Sequence, residues 1–486
     1  MMNAEILPNP SLVAPAERSE RAPIPAVSRA LLAEGLVERE GVLTGTLPPW
    51  LNGRLLRTAP ALFNAGTFHA KHWFDGIGML YGFRFRGGKA TFAQRLLECE
   101  AAAEAHRGRL PRATFASPNQ RSFWRRIFEP IPEVTDNANV NVLRQGDEWV
   151  ALTESPYQLR VSDAELSVRG RVVYDDALPK NMGMTAHPHF DFARNVAVNL
   201  GTVLGRKGEL IAFEQAQGSA TRREIGRYVA NELPYQHSFG ITAASVVIVG
   251  HPWLVRPTSL LWSNRGFAEH FRWKPELGTR FIVLDRGGGA TREFSAEALF
   301  TFHTVNTYPD GDDLVLDLLA YPDPSIVQNL KVENMLDGIV GLRPRLCRAH
   351  LGANGRARLE TLSELGFEFP SINYRRVSGV RHRFVWGATA RGDGRDIVGI
   401  DCESGVVRHF GVPGFVFGEP IFVAAPGARA EDEGVLLAVG SNGESSKLAV
   451  LDAHSLEPEA LLHLDLPIPL GFHGSFSRDG GDRVAA

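Results

Sequence analysis

Cysteine is scarce in this chain: Cys99, Cys347 and Cys402 are its only three in 486 residues, and they are far apart. Without a CxxC pair, neither a disulfide framework nor a thiolate zinc ribbon can be built, and the expectation is buried thiols in a reducing compartment. Surplus charge is also missing. Lys and Arg number 52 against 55 Asp and Glu, a formal net of −3. That removes the basic footprint a nucleic-acid partner would need. No apolar run reaches the length of a membrane span. The N-terminal "MMNAEILPNPSLVAPAERSERAPIPAVSRA" has no basic segment followed by an apolar one, so no signal peptide is expected and the expected location is cytoplasmic. No Gly-rich phosphate loop, Ser/His/Asp signature, WD or kelch motif is present.

What is abundant is turn and grease. Gly numbers 49 and Pro 30, and Phe outnumbers Tyr 28 to 8. Helical patterns are few beyond a short stretch near "VSRALLAEGLV"; the rest reads as short strands and tight turns. "YGFRFRGGKATFAQRLL" predicts a hairpin at Gly87-Gly88, and "VNVLRQGDEWVALTES" another at Gly146-Asp147. Six hairpins share one form, an apolar strand, a polar turn and a mixed strand. Anchored at Asp163, Glu214, Asp285, His350, Asp401 and Asp452, they lie 51, 71, 65, 51 and 51 residues apart. A unit of roughly 40–50 residues is the period of a four-stranded propeller blade. The two longer intervals leave room for insertions.

The histidines fall on this ruler. His187, His237, His303 and His473 follow their anchors by 24, 23, 18 and 21 residues, and in the two repeats lacking one, Glu368 and Glu419 each follow by 18. Inner strands of a propeller line its axis, so equal phase predicts convergence on one axial point. Four imidazoles can hold one metal ion, of which Zn, Cu, Fe and Ni all suit nitrogen ligands. Carboxylates accepting the other ring N–H would orient the ligands and offset the charge, the place predicted for Glu368 and Glu419. His72 of "KHWFDGIGML" falls outside the phase and reads as structural.

These segments resemble the carotenoid cleavage oxygenase family. The resemblance rests on "GRLLRTAPALFNAGTFHAKHWFDGIGMLYGFRF", "TDNANVNV", "TAHPHFD", "YQHSFGIT", "FHTVNTYPDGDDLVLDLLAY", "EFPSIN", "GEPIFV" with "EDEGVLL", and "GFHGSF", in order over most of the chain. It implies an all-β, seven-bladed β-propeller with a loop-and-helix cap over one face. Residues 1–40 would be an N-terminal extension, and 41–486 a single catalytic domain with cap insertions at about 100–130 and 251–275. The resemblance implies ferrous iron as cofactor and O2 as co-substrate, with His187, His237, His303 and His473 as the metal ligands. His189 would not be one. It adds Glu154 to Glu368 and Glu419 as the residues that orient the ligands. Tyr235, Phe239 and Phe302 are expected in the wall of a substrate tunnel.

The implied reaction is oxidative scission of a conjugated C=C bond of a carotenoid or apocarotenoid to two carbonyl products. A stilbene-cleaving enzyme, a retinoid isomerohydrolase and a non-catalytic propeller platform are the alternatives. Ser238, "FRWKPELGTRFIVLDR" and "DLLAYPDPSIVQNL" place the chain nearer the β-carotene oxygenase branch than the stilbene branch. Two departures stand out: "RTAP" at Arg57–Pro60 where the family usually has RNGP, and Ala243 where it often has Glu. The expected partner is an apolar polyene. In "ATFASPNQRSFWRRIFEPIP" and "HPWLVRPTSLLWSNRGFAEHFRW", Phe115, Phe123, Trp124, Phe128, Trp253, Leu260, Leu261 and Trp262 stand near Arg121, Arg125 and Arg126. Such stretches fit either a peripheral membrane contact or a cap packed on the propeller.

Overall fold

A strand whose two faces both meet other sheets reads as an unbroken apolar run rather than an alternating one. "SVVIVG" (Ser245–Gly250) is such a strand, buried throughout. Val246 and Ile248 join one core cluster, while Val247 and Val249 join a second with Leu314, Leu316 and Leu318. The period of two thus sends alternate residues into two different inter-blade cores. This is the packing of radially stacked sheets.

The computed structural model describes residues 35–479 apart from 336–338, 340 and 392–393. The helical stretch expected near "VSRALLAEGLV" lies largely outside them. Seven antiparallel blades follow one another among the described residues, the last two merged into one ten-stranded sheet by a single parallel bridge between Arg395 and Val416. From the axis outwards, the second blade runs Asn141–Gln145, Glu148–Leu152, Leu159–Val161, Val168–Arg171. The fourth runs Gly240–Ile241, Ser245–Gly250, Thr279–Asp285, Arg292–Ala296, and the fifth Thr304–Asp310, Asp313–Ala320, Arg345–Leu351, Ala357–Ser363. All six anchors lie in or just after the third strand of a blade. The remaining blade turns at Gly87-Gly88, where both residues have positive φ, the demand of a tight hairpin turn that glycine meets without strain. The hairpin at Gly146-Asp147 is also present.

The ring closes with both chain ends. Gly474–Arg478 supplies the inner strand of the first blade by pairing with Gly53–Leu62. Val42–Gly45 completes the outer edge of the last by pairing with Pro458–Leu464. Val37–Glu40 pairs with Lys89–Leu96 at the edge of the first blade. The propeller therefore begins before the boundary expected at residue 40, because these residues supply hydrogen bonds that an edge strand would otherwise lack.

Insertions collect on one face for a topological reason. In a four-stranded meander, the link from second to third strand and the link to the next blade emerge at the same end. Residues 63–76, 251–278 and 321–344 are links of the first kind, and 97–140 is one of the second. The cap thus includes the two stretches expected from sequence and two more.

Candidate metal centre

The same topology delivers the histidines. His187, His237, His303 and His473 each lie just before or within the inner-strand segment of a blade, on the capped face. Their ligand nitrogens all lie within 4.8 Å of one another. Nε2 of His237 is 3.0 Å from that of His187 and 3.2 Å from that of His303, which is 3.2 Å from that of His473.

Three carboxylates set the ring tautomers. His303 donates Nδ1–H to Glu368 at 2.6 Å, His473 to Glu419 at 2.8 Å, and His237 to Glu154. An ionised carboxylate only accepts, so each Nδ1 carries the proton and each Nε2 presents a lone pair. Burial, reinforced by His473, His237 and His303, holds His187 well below its ordinary pKa. Burial pushes His473 down to about 4 against the pull of Glu419. Converging nitrogen lone pairs repel one another unless a cation lies between them. The donor set therefore fits a metal ion that accepts nitrogen ligands.

The carboxylates are themselves held. Burial raises the Glu368 carboxyl, but His303, the Phe369 N–H at 2.9 Å and the Tyr321 hydroxyl at 2.8 Å outweigh it and keep the group ionised. Tyr235 donates to Glu154 at 2.7 Å. Burial and the adjacent carboxylate hold both tyrosines well above their usual pKa, so they remain donors. Glu419 accepts from the Gly474 N–H at 3.2 Å and faces the Arg57 guanidinium at 3.6 Å. Arg57, in the departing "RTAP", is 1 % exposed and also donates to the carbonyls of Glu419 and Phe472 at 2.9 Å each. It therefore ties the carboxylate to the residue preceding its histidine.

Arg57 and Tyr321 went unassigned by sequence reasoning; an Arg within the apolar run "LLRTAPAL" was the available signal. Ser238 gains a structural role. Its hydroxyl donates to the Phe302 carbonyl at 2.7 Å and accepts from the Thr304 N–H at 2.8 Å, joining the segments that carry His237 and His303. His189 lies outside the cluster, donating to the Phe239 carbonyl at 2.7 Å and accepting from Tyr374 at 2.8 Å. His72 is also outside it, and caps the 3-10 turn Trp73–Asp75 while donating to the Val327 carbonyl at 2.8 Å.

Above the histidines lies a cavity of about 870 Å³ whose wall includes His237, His303, His473, Phe115, Tyr235, Phe302, Phe369 and Phe472. Phe369 adopts φ +59°, a left-handed conformation uncommon for a bulky side chain, and its ring lies over His303 and His473. Phe302 and Tyr235, expected in a tunnel wall, line this cavity, and Phe239 is not among its lining residues. The Phe239 ring, fully buried, packs on His189 instead.

The propeller and its cap together set a group of four axial histidines that could hold a metal ion beside a mostly apolar pocket. The chain belongs to the RPE65 family, described as retinal pigment epithelial membrane protein, whose family model matches residues 32–478. It is 27% identical to the mitochondrial carotenoid-cleaving dioxygenase of Mustela putorius furo, over 89% of this chain and 92% of that protein. It is 26% identical to the beta,beta-carotene 15,15'-dioxygenase of Rattus norvegicus, over 92% and 90%. The structure of cobalt-substituted Synechocystis ACO matches with TM-score 0.79 at 25% identity, covering 91% of this chain and 96% of that one.

Proposed function

We propose that this chain is an oxygenase that cleaves a conjugated C=C bond of a carotenoid or apocarotenoid with O2, using one iron ion held by His187, His237, His303 and His473. The observation that carries the reading is the convergence of four imidazoles, three of which line a large apolar cavity. Two relatives named for carotenoid cleavage match along nearly their whole length. The cobalt-substituted relative supports a divalent-metal site in this fold. A ferrous ion in such a site supplies the electrons that activate O2.

The protein's own share is positional. Glu154, Glu368 and Glu419 hold three imidazoles in one tautomer and orientation, so the site is pre-formed before any ligand arrives. Aromatic walls bind the polyene by apolar contact and exclude water. The catalytic unit, residues 41–486 in the sequence reading, is on this view a single propeller domain that also draws on Val37–Glu40. Iron-loaded protein incubated with β-carotene, several apocarotenals and a hydroxystilbene should release aldehydes from the polyenes. Aldehydes from the stilbene alone would overturn the substrate assignment.

We also propose that the cap rests on a lipid surface to collect this ligand. The helix Phe123–Phe128 exposes Phe123, Trp124 and Phe128, the last at 79 %, and Ile131 and Trp262 are exposed as well. Arg125 is exposed on the same helix. Other residues of the two stretches pack inward. Arg121 is buried and donates to the Ser263 carbonyl, Trp253 is buried among aromatic rings, and Leu260 and Leu261 line the cavity. Among the described residues no helix is long and apolar enough to cross a membrane, so the contact would be peripheral. Replacing Trp124 and Phe128 with Ser should lower co-sedimentation with phosphatidylcholine vesicles about tenfold, in line with the apolar area withdrawn. Equal sedimentation of variant and wild type would remove the cap from that role. The three cysteines are free thiols, as expected in a reducing compartment such as the cytoplasm.

A further inference from the structure

Beneath the cap, apart from the metal shell, lies a second built arrangement centred on Asp75. The residue is buried, and no cation pairs with it among the described residues. Its carboxylate is given wholly to one stretch of cap. One oxygen accepts from the N–H groups of Phe115 at 2.9 Å and Ala116 at 3.3 Å. The other accepts from the Ala116 N–H at 3.1 Å and the Ser117 hydroxyl at 2.6 Å. Hydrogen bonds to an ionised acceptor are about twice as strong as neutral ones. A buried charge without a counter-ion is expensive, and apolar packing alone could have seated a loop. Something besides adhesion is gained by this arrangement.

What it gains is the position of one ring. From the outer side, Phe267 N–H donates to the Thr114 carbonyl at 3.2 Å and Ala268 N–H to that of Phe115 at 2.7 Å. A side chain at Gly266 would overlap the Ala116 backbone, so the two cap stretches meet main chain to main chain. Held from both sides, Phe115 points its ring into the cavity. It lies 4.9 Å from the ring of Phe74, 5.3 Å from His72 and 5.7 Å from Tyr235. Tyr235 is the residue that donates to Glu154, the partner of His237.

A polyene has no polar handle along its length. Which double bond meets the metal is then decided by the walls that stop it sliding. We propose that Asp75 is a positioning residue for the site of cleavage: by clamping 115–117 it fixes the Phe115 ring as a stop that sets the register of the polyene against the metal. This rests on the polyene-cleaving reading above.

The test compares Asp75→Asn, Phe115→Leu, Ser117→Ala and the double variant D75N/F115L, all iron-loaded, with an apocarotenal as substrate. Products are separated and identified by mass, and binding is measured without O2 by quenching of tryptophan fluorescence. D75N and F115L should shift the ratio of products in the same direction by about tenfold, the scale of steric discrimination in an apolar pocket. KM should rise more than kcat falls, with iron content unchanged. The double variant should shift no further than F115L alone, the non-additivity expected of residues acting through one another. Ser117→Ala removes a single bond of the clamp, should shift the ratio less in the same direction, and decides the matter if D75N does not fold. An unchanged product ratio and KM in D75N, or in S117A in that event, overturns the proposal. So do shifts that add fully in the double variant. If the wild type cleaves no polyene, the functional reading fails by itself, and the anaerobic binding arm still decides: D75N and F115L must weaken binding by the same factor. A wild type that binds no polyene overturns both.

Discussion

Replacing His303 with Ala yields protein that holds no iron and cleaves no polyene. His303 is one of two members of the cluster that meet two others, its Nε2 3.2 Å from both His237 and His473. Its loss takes one of four converging nitrogens from the site and leaves Glu368, 2 % exposed at the side chain, without its imidazole partner. Glu368 keeps Tyr321 and the Phe369 N–H, and losing one hydrogen bond to a buried charged group typically costs about 1.5–3 kcal/mol, so a lower melting temperature is expected as well. The comparison that isolates the metal effect is His350→Ala. His350 sits on a third strand of its blade, bonded to Glu360 at 3.2 Å and away from the cluster, and its variant should keep iron and turnover. Iron is measured by a colorimetric chelator and turnover by product mass. An H303A protein with one iron per chain and wild-type turnover would refute the ligand assignment.

Replacing each orienting glutamate with Gln should weaken iron retention or turnover by about 10–100-fold, the usual cost of losing a partner behind a ligand. The order should follow burial. The side chains of Glu368, Glu419 and Glu154 are 2 %, 12 % and 22 % exposed. Electrostatic support weakens as water approaches, so E368Q should be the most severe and E154Q the mildest. Gln keeps one acceptor oxygen but loses the negative charge that offsets the cation, so the fold should survive. Competition with a chelator and kcat/KM on one apocarotenal check the series. E154Q as the most damaging variant would mean that burial does not govern these partners.

Much of this site was legible because a propeller converts sequence interval into position. Equal spacing from the third-strand anchors put four histidines, Glu368 and Glu419 at one end of the axis. Glu154 escaped that ruler and came only through the family resemblance. It follows the second strand of its blade, Glu148–Leu152, rather than preceding an inner strand. Both links emerge at the capped face, so it reaches the cluster out of phase. The blade turning at Gly87-Gly88 was not counted as a repeat, because its inner strand comes from the far end of the chain. Phe239 follows His237 by two residues, yet its ring packs on His189, which lies outside the four-histidine cluster.

By itself, the sequence determined the class of fold and the common phase of the four histidines, Glu368 and Glu419. Those are properties of period and residue type. The tertiary structure decided which polar groups complete the site. Arg57 meets Glu419, Tyr321 meets Glu368, and Asp75 meets the 115–117 segment across separations in sequence that no local pattern encodes. Each pairing exists because closing the ring and folding the cap bury these groups together, and a buried polar group must find its partner wherever the fold has brought one.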